Sequence, residues 1–359
     1  MAGPVTSPRW FRCLLGTKAR QQLLKTNSSP DTFSLMLAAS GGPRWVGLVG
    51  IDRALREFLK QRSTPHPFPL LGASSGAWRM AALSCDDNDQ TYEHLLQEYI
   101  GQRYEGSPTA KEVSDVCRSY IHRVFTAERA EFALHNKRFQ LNFTTAVMKR
   151  ERPSKKRTAL SVGLAFSLNA IARKHLARCY TRGLFSVLPH PANSPLDGGW
   201  DGLPTAQIAL TPDNFQQGLM ASGSIPLVLE GESSIQGGPR GHHLDGGLVD
   251  YHFELESANG PILYPHFAAD PIPGWMDRFP PKRRISARAR EQLCIVMPSE
   301  ELLSKYPTGD FPCRHDFRRF SNDQRIKLWT QTAKLTEKLG KELSLCLESG
   351  DLVNIADRL

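Results

Sequence analysis

Short apolar runs, glycine-rich turns and amphipathic stretches follow one another in a repeating order along this chain. Phe33 to Ala39 is a compact apolar run that ends in Ser40-Gly41-Gly42-Pro43. A run of that length bounded by glycines predicts a buried strand followed by a turn. Pro43 suits the first position of a helix, and Leu48, Ile51, Leu55 and Phe58 share one face at helical spacing. The order then repeats. Pro67-Phe68-Pro69-Leu70-Leu71 predicts a second strand, Gly72-Ala73-Ser74-Ser75-Gly76 a tight turn, and Ala77 to Leu83 a helix without Pro or Gly. Two such units before residue 85 predict an α/β protein whose parallel sheet is covered on both faces.

Further along, the pattern predicts helices over 89–104 and 109–135, with a short one over 14–25 before the Asn27-Ser28-Ser29-Pro30 break. Residues 189–204 and 231–242 are rich in turn formers and read as loops. A strand is expected over 206–210. Thr211-Pro212 then starts a helix, with Thr as its cap. Another strand is expected over 294–297. Ser321 and Gln324 form a capping box for a long C-terminal helix. Its stripe of Leu328, Thr332, Leu335, Leu339, Leu343 and Cys346 is interrupted by Thr and Gly, which favours docking on the core over a partner coil. Residues 1–32 read as an extension with helical content, and 256–359 as a C-terminal part packed on the core and ending in the long helix.

Composition narrows the class. Apolar content of 40% and charged content of 23% are globular values. No apolar run approaches the roughly 20 residues that span a bilayer, and Cys13-Leu14-Leu15 is too short for a signal-peptide core. The seven cysteines are scattered without a C-x-x-C pair, which suits a reducing cytoplasm. The net charge of +9 resides in one block. Lys149, Arg150, Arg152, Lys155, Lys156, Arg157, Arg173, Lys174, Arg178 and Arg182 are opposed by Glu151 alone, so the rest of the chain is neutral. Such a block is either a solvated face or a surface for an anionic partner, with phospholipid headgroups or nucleic acid as the two chemistries it fits. Part of it is amphipathic: Leu168, Ile171, Ala172, His175, Leu176 and Cys179 follow helical spacing, with Arg173, Lys174 and Arg178 opposite. That pattern fits a membrane-surface helix and equally a core-facing one.

The chemistry centres on Gly72-Ala73-Ser74-Ser75-Gly76, which has the G-x-S-x-G form of a nucleophile elbow. With 28 glycines and 28 serines in 359 residues, chance supplies roughly 0.17 such matches, so the flanking strand and helix carry the assignment. Ser74 would sit at a helix N-terminus, where free N–H groups favour developing negative charge. Gly41 and Gly42 are the candidate oxyanion donors, because Pro43 has no N–H. The base must be His, Asp or Glu. Asp197 and Asp245 each begin an Asp-Gly-Gly sequence. Asp197 lies in a turn-rich loop, whereas Asp245 closes the run His242-His243-Leu244 at the end of an element.

Taken in order, four stretches resemble the patatin-like phospholipase family of serine acyl hydrolases. These are Ser40-Gly41-Gly42-Pro43-Arg44, the Gly72–Gly76 elbow, Ala221-Ser222-Gly223-Ser224-Ile225-Pro226 and Asp245-Gly246-Gly247. The resemblance covers about residues 33–255. It implies a three-layer α/β/α sandwich with a mostly parallel sheet, and a dyad with Ser74 as nucleophile and Asp245 as base. Gly41 and Gly42 would supply the oxyanion hole with Arg44 supporting that loop. It implies cleavage of fatty-acyl esters of phospholipids or lysophospholipids through an acyl-enzyme, with no metal or organic cofactor. The expected partner is a lipid, with peripheral contact to anionic membrane through 149–182; no nucleic-acid partner is expected. Two features depart from the family: Ala39 and Ser40 stand where it has Asp and a further glycine, and Trp45 follows Arg44 in place of glycine.

Two other readings stay open on the residues. An α/β-hydrolase with a Ser-Asp-His triad would need a late histidine, and His266 and His315 are available. A non-catalytic lipid-binding protein would keep the fold without the chemistry. His242, His243 and His252 lie near Asp245 but are not expected to share a metal, since neighbours on a strand point to opposite sides. Ser222 and Ser224 are expected to shape the turn before Pro226.

Overall fold

The computed structural model describes residues 9–359 apart from 150–153, 191–193, 195, 198–199, 257 and 280. Its strands are β1 (Phe11–Leu15), β2 (Leu35–Ala38), β3 (Phe68–Ala73), β4 (Phe139–Met148), β5 (Tyr180–Ser186), β6 (Thr205–Ala209), β7 (Glu232–Ser233), β8 (His242–Asp245), β9 (Ile262–Pro265), β10 (Leu293–Pro298) and β11 (Asp357–Arg358). They form one eleven-stranded sheet in the order β11-β1-β10-β9-β2-β3-β4-β5-β6, with β8 paired to β4 and β7 to β8. The run β10-β9-β2-β3-β4 is parallel. Antiparallel pairs lie at β1–β10, β4–β5, β4–β8 and β7–β8.

The two-residue period of each strand sorts its side chains between two buried faces. On β2, Met36 and Ala38 join the larger core, while Leu35 and Leu37 join the smaller core on the opposite face. Helices flank the sheet: α1 (Thr17–Thr26), α2 (Val49–Leu59), α3 (Ser75–Ser84), α4 (Gln90–Gly101), α5 (Ala110–Val124), α6 (Ala127–Leu134), α7 (Lys155–Ile171) and α8 (Pro212–Ser222). The fold is therefore α/β, a three-layer α/β/α sandwich with a mostly parallel central sheet. The C-terminal helix Asn322–Ser349 opens on the expected capping box of Ser321 and Gln324. It docks along α2, where Thr336 Oγ1 accepts the Gly50 amide at 3.0 Å. Gly340, which breaks the apolar stripe, also faces Gly50 closely, whereas the stripe's Thr332 bonds within its own helix to the Leu328 carbonyl.

Several elements differ from the sequence pattern. The expected helix over 109–135 is two, because Thr126 caps a new helix through the Arg129 amide. The first 32 residues contribute strand β1 as well as α1, and 256–359 contributes β9, β10 and β11 to the sheet besides packing on it. The long helix is followed by a short helix and β11. Strand β4 carries Gln140, Asn142, Thr144 and Thr145 at wholly buried positions, so its pattern reads as polar. Asn142 donates to the Leu70 carbonyl at 3.2 Å and Gln140 to that of Val187 at 2.8 Å, while Thr144 Oγ1 has no hydrogen-bond partner among the described residues. The amphipathic helix expected over 168–179 is divided, since α7 ends at Ile171 and a 3-10 turn covers Arg173–Arg178.

Nor is the basic block uniformly solvated. Arg182 is fully buried, bidentate to Asp250 at 2.7 Å and bonded to Asp201 at 2.9 Å. Arg173 pairs with Asp201 and Asp277. Arg150, Glu151 and Arg152 lie outside the described residues. Among the described residues, no helix is long and apolar enough to cross a membrane.

Candidate active site

Strand β4 brings the two halves of the site together. Its Thr144 pairs with Ala73 at the end of β3, and the next residue, Thr145, pairs with Asp245 at the end of β8. Because β3 runs parallel to β4 and β8 antiparallel, the two strands approach each other head to head. Their ends place Ser74 beside Asp245. The Ser74 hydroxyl donates to Asp245 Oδ2 at 2.7 Å.

Ser74 sits in the elbow that its sequence predicts. It has φ 56° and ψ −129° and caps the N-terminus of α3. For a residue with a Cβ this backbone costs about 1–3 kcal/mol, held by its surroundings. The flanking glycines are required by close approach. A methyl on Gly72 would lie 2.4 Å from the Gly76 carbonyl oxygen, and one on Gly76 would lie 2.1 Å from that of Ala38.

The Ala221–Pro226 segment joins nucleophile and carboxylate. Ser222 Oγ accepts the Ser74 amide at 2.9 Å and donates to the Thr144 carbonyl at 2.8 Å. Two residues on, the Ser224 carbonyl accepts the Asp245 amide at 2.8 Å. Beyond the expected shaping of the turn, the Ser222 hydroxyl and the Ser224 carbonyl hold the two strand ends in register.

Asp245 is buried and accepts the Gly247 amide on Oδ1 at 2.7 Å. Burial pushes its carboxyl up to about 6, against the hydrogen bonds from Ser74 and Gly247 and the charge of Arg314, which pull it down. A carboxylate poised there can take a proton near neutral pH. Gly246 and Gly247 form the 3-10 turn that follows.

The Ser40–Arg44 loop packs against this pair. Ser40 Oγ donates to the Ala73 carbonyl at 3.2 Å, and a methyl on Gly247 would meet Ser40 Oγ at 2.6 Å. Gly42 has φ +54°, which favours glycine, and opens a 3-10 turn through Leu48. The expected helix follows one turn later, as α2. Among the described residues, the Gly41 and Gly42 amides donate to no acceptor. Arg44 forms no ion pair among the described residues; its guanidinium lies 5.3 Å from the centroid of the Phe267 ring. Phe267 also covers Gly41. Trp45 fills the core against Tyr92 and Tyr99, with ring centroids 5.8 and 5.2 Å away.

No histidine touches Ser74 among the described residues. His266 is buried, its Nδ1 engages Ala268, and burial lowers it to about 3. His315 is exposed beside the short helix Asp316–Arg319. His243 contacts Thr145 Oγ1 at 3.1 Å, whereas His242 faces Ser233. The Nδ1 of His252 accepts the Ile272 amide at 3.0 Å. Among the described residues no three His, Cys, Asp or Glu side chains are grouped to hold a metal. Asp197 is paired with His190 at 2.8 Å, and Gly198 and Gly199 after it lie outside the described residues.

Sequence reasoning missed Arg314. Its Nε lies 3.4 Å from where a methyl on Gly42 would be, and its charge acts on Asp245. It comes from a segment anchored on the same loop, since Tyr306 donates to the Gly47 carbonyl at 2.9 Å. Nothing local marks residue 314, which is remote in sequence from the elbow. A surface cleft of about 460 Å³ between α4 and α5, lined by Glu98, Arg103, Tyr120 and Arg123, shares no residue with the Ser74 site.

Fold and site together define an α/β/α protein that carries a buried serine–aspartate pair on a strained elbow. No protein-family model matches the chain, and no curated protein matches it.

Proposed function

We propose that this protein is a serine lipid acyl hydrolase of the patatin-like kind. The observation that carries the reading is the 2.7 Å hydrogen bond from Ser74 Oγ to a buried Asp245 whose carboxyl is pushed up to about 6. Ser74 Oγ attacks the ester carbonyl and passes its proton to Asp245. The carbonyl oxygen gains negative charge between the Gly41 and Gly42 amides. The C–O bond to the alcohol then breaks, and the alcohol leaves with the proton from Asp245. Water next gives a proton to Asp245 and adds to the acyl carbon. Ser74 is released with its proton restored, together with the free fatty acid. The four ordered motifs support a fatty-acyl ester of a phospholipid or lysophospholipid as the substrate.

A fluorophosphonate probe tests the nucleophile. Wild type labels, Ser74→Ala does not, and replacing His266 or His315 leaves labelling intact. Absence of labelling on the folded protein would sink the hydrolase reading. Loss of labelling on replacing either histidine would favour a triad instead.

A further inference from the structure

We propose that the outer face of α7, with Phe279 beside it, docks on an anionic lipid surface. The apolar residues of this helix are not confined to the side that packs on the core. Its inner side buries Thr158, Ala165 and Asn169. Its outer side presents Leu160 at 72%, Leu164 at 56% and Ile171 at 72% exposure, with Phe279 at 37%. Positions 160, 164 and 171 fall on one stripe at helical spacing. Phe279 lies at the flank of the helix, its ring 5.2 Å from that of the half-buried Phe166. Exposed apolar residues grouped in this way mark a binding face, whereas scattered ones need no explanation.

Charge selects the partner. The helix contains no acidic residue. Lys155, Lys156 and Arg157 are exposed at its start, Lys174 just beyond its end, and Arg278 and Lys282 around Phe279. Among the described residues, the ion pairs of the basic block belong to Arg173 and Arg182, which face inward. A second copy of this face would set like charges against each other. A surface of anionic headgroups over acyl chains complements both the cations and the apolar stripe, with leucines entering the headgroup boundary.

The face is also fixed to the site. Asn169 on α7 donates to Asp277 at 2.8 Å, and Asp277 accepts the Gly274 amide at 2.9 Å. The neighbouring Pro273 carbonyl accepts the Tyr251 amide at 2.8 Å, and the Tyr251 carbonyl accepts the Ser40 amide at 2.9 Å. Docking of α7 therefore sets how the Ser40–Arg44 loop is held over the lipid. The docking itself stands apart from the hydrolase reading, since it needs no turnover.

The test is co-flotation of full-length Ser74→Ala protein with phosphatidylcholine vesicles, with and without an equal part of phosphatidylglycerol. Using Ser74→Ala keeps the lipid intact, so a failure of the hydrolase reading does not touch the result. Binding is expected to anionic vesicles and to fall steeply with salt. Lys155→Gln/Lys156→Gln/Arg157→Gln should weaken it roughly a hundredfold, from about fivefold per basic residue. Leu160→Ser/Leu164→Ser/Ile171→Ser should weaken it at least about tenfold and leave helical content unchanged. The salt titration needs no variant, so it serves even where a triple variant folds poorly. No binding by the Ser74→Ala protein, or binding that both triple variants and salt leave unchanged, overturns the proposal. So does a concentration-dependent dimer that the leucine variant converts to monomer, which would assign the face to a second copy.

Discussion

Asp52 and Asp245 are both buried aspartates within the core of the same sandwich, and their surroundings are opposite. Asp52 is held by Arg79, whose Nε and terminal nitrogen donate at 2.7 and 2.6 Å, and by the Tyr92 hydroxyl. The pair is wholly buried and ties α2 to α3. Asp245 has no ion pair among the described residues; its oxygens take a serine hydroxyl and a backbone amide. One carboxylate is neutralised in place, which serves the fold. The other is compensated only in part, so burial raises its carboxyl, which costs stability and leaves it ready to accept a proton. Arg182 with Asp250 repeats the first arrangement.

Exchanging each carboxylate for its amide breaks this comparison most sharply. Asp245→Asn should lower ester turnover by about two to four orders of magnitude, the usual worth of a general base, with the protein folded. Asp52→Asn should do the reverse. It leaves Arg79 buried without its countercharge, so it should destabilise the protein by about 3–5 kcal/mol in denaturant unfolding. The folded fraction should keep most of its specific activity. Near-normal turnover in Asp245→Asn would move the base elsewhere, and Asp197 would be the next position to test.

A smaller effect concerns stability against pH. The Asp245 carboxyl is raised from 3.8 to about 6 in the fold. Between those values the folded state holds a proton that the unfolded chain has lost. The stabilisation is therefore complete below about pH 4 and is lost as pH rises through about 6. An amide at 245 does not ionise and escapes that loss. Asp245→Asn should be more stable than wild type at pH 8, by up to about 2–3 kcal/mol, and the advantage should vanish near pH 4. Thermal melts across that range read it directly. An amide that destabilises equally at both pH values would mean that the Asp245 hydrogen bonds serve the fold as those of Asp52 do.

The legible part of the site was its local part. The elbow at Ser74, the glycine loop and Asp245-Gly246-Gly247 are short contiguous signals, because each fixes a turn whose backbone geometry its own residues must satisfy. The α/β class followed from two strand–turn–helix units near the N-terminus. Strand β4, which joins Ser74 to Asp245, was invisible because its buried Gln140, Asn142, Thr144 and Thr145 mask an apolar pattern. Asn142 and Thr145 find partners on β3 and β8, which a local window does not contain. The basic block was legible as charge but not as a surface, since only the fold decides that Arg182 turns inward to Asp250 while Lys155 stays exposed. Arg314 could not be found at all, because its relation to Gly42 exists only after the chain has folded back.

Arg314 supplies the finest distinction between the two aspartates. It is exposed, forms no ion pair with Asp245 among the described residues, and still lowers the raised carboxyl by its charge. Arg79 acts on Asp52 by direct bidentate bonding instead. The acid limb of kcat/KM should therefore lie near the Asp245 value of about 6 in wild type. Removing the charge in Arg314→Gln favours the protonated carboxyl and should move that limb to higher pH, with Arg314→Lys restoring it. Since Arg314 is exposed, added salt should screen its charge and shrink the difference between wild type and Arg314→Gln. A limb that stays in place, or a displacement that salt leaves unchanged, would mean that Arg314 acts by packing on Gly42 and not by its charge.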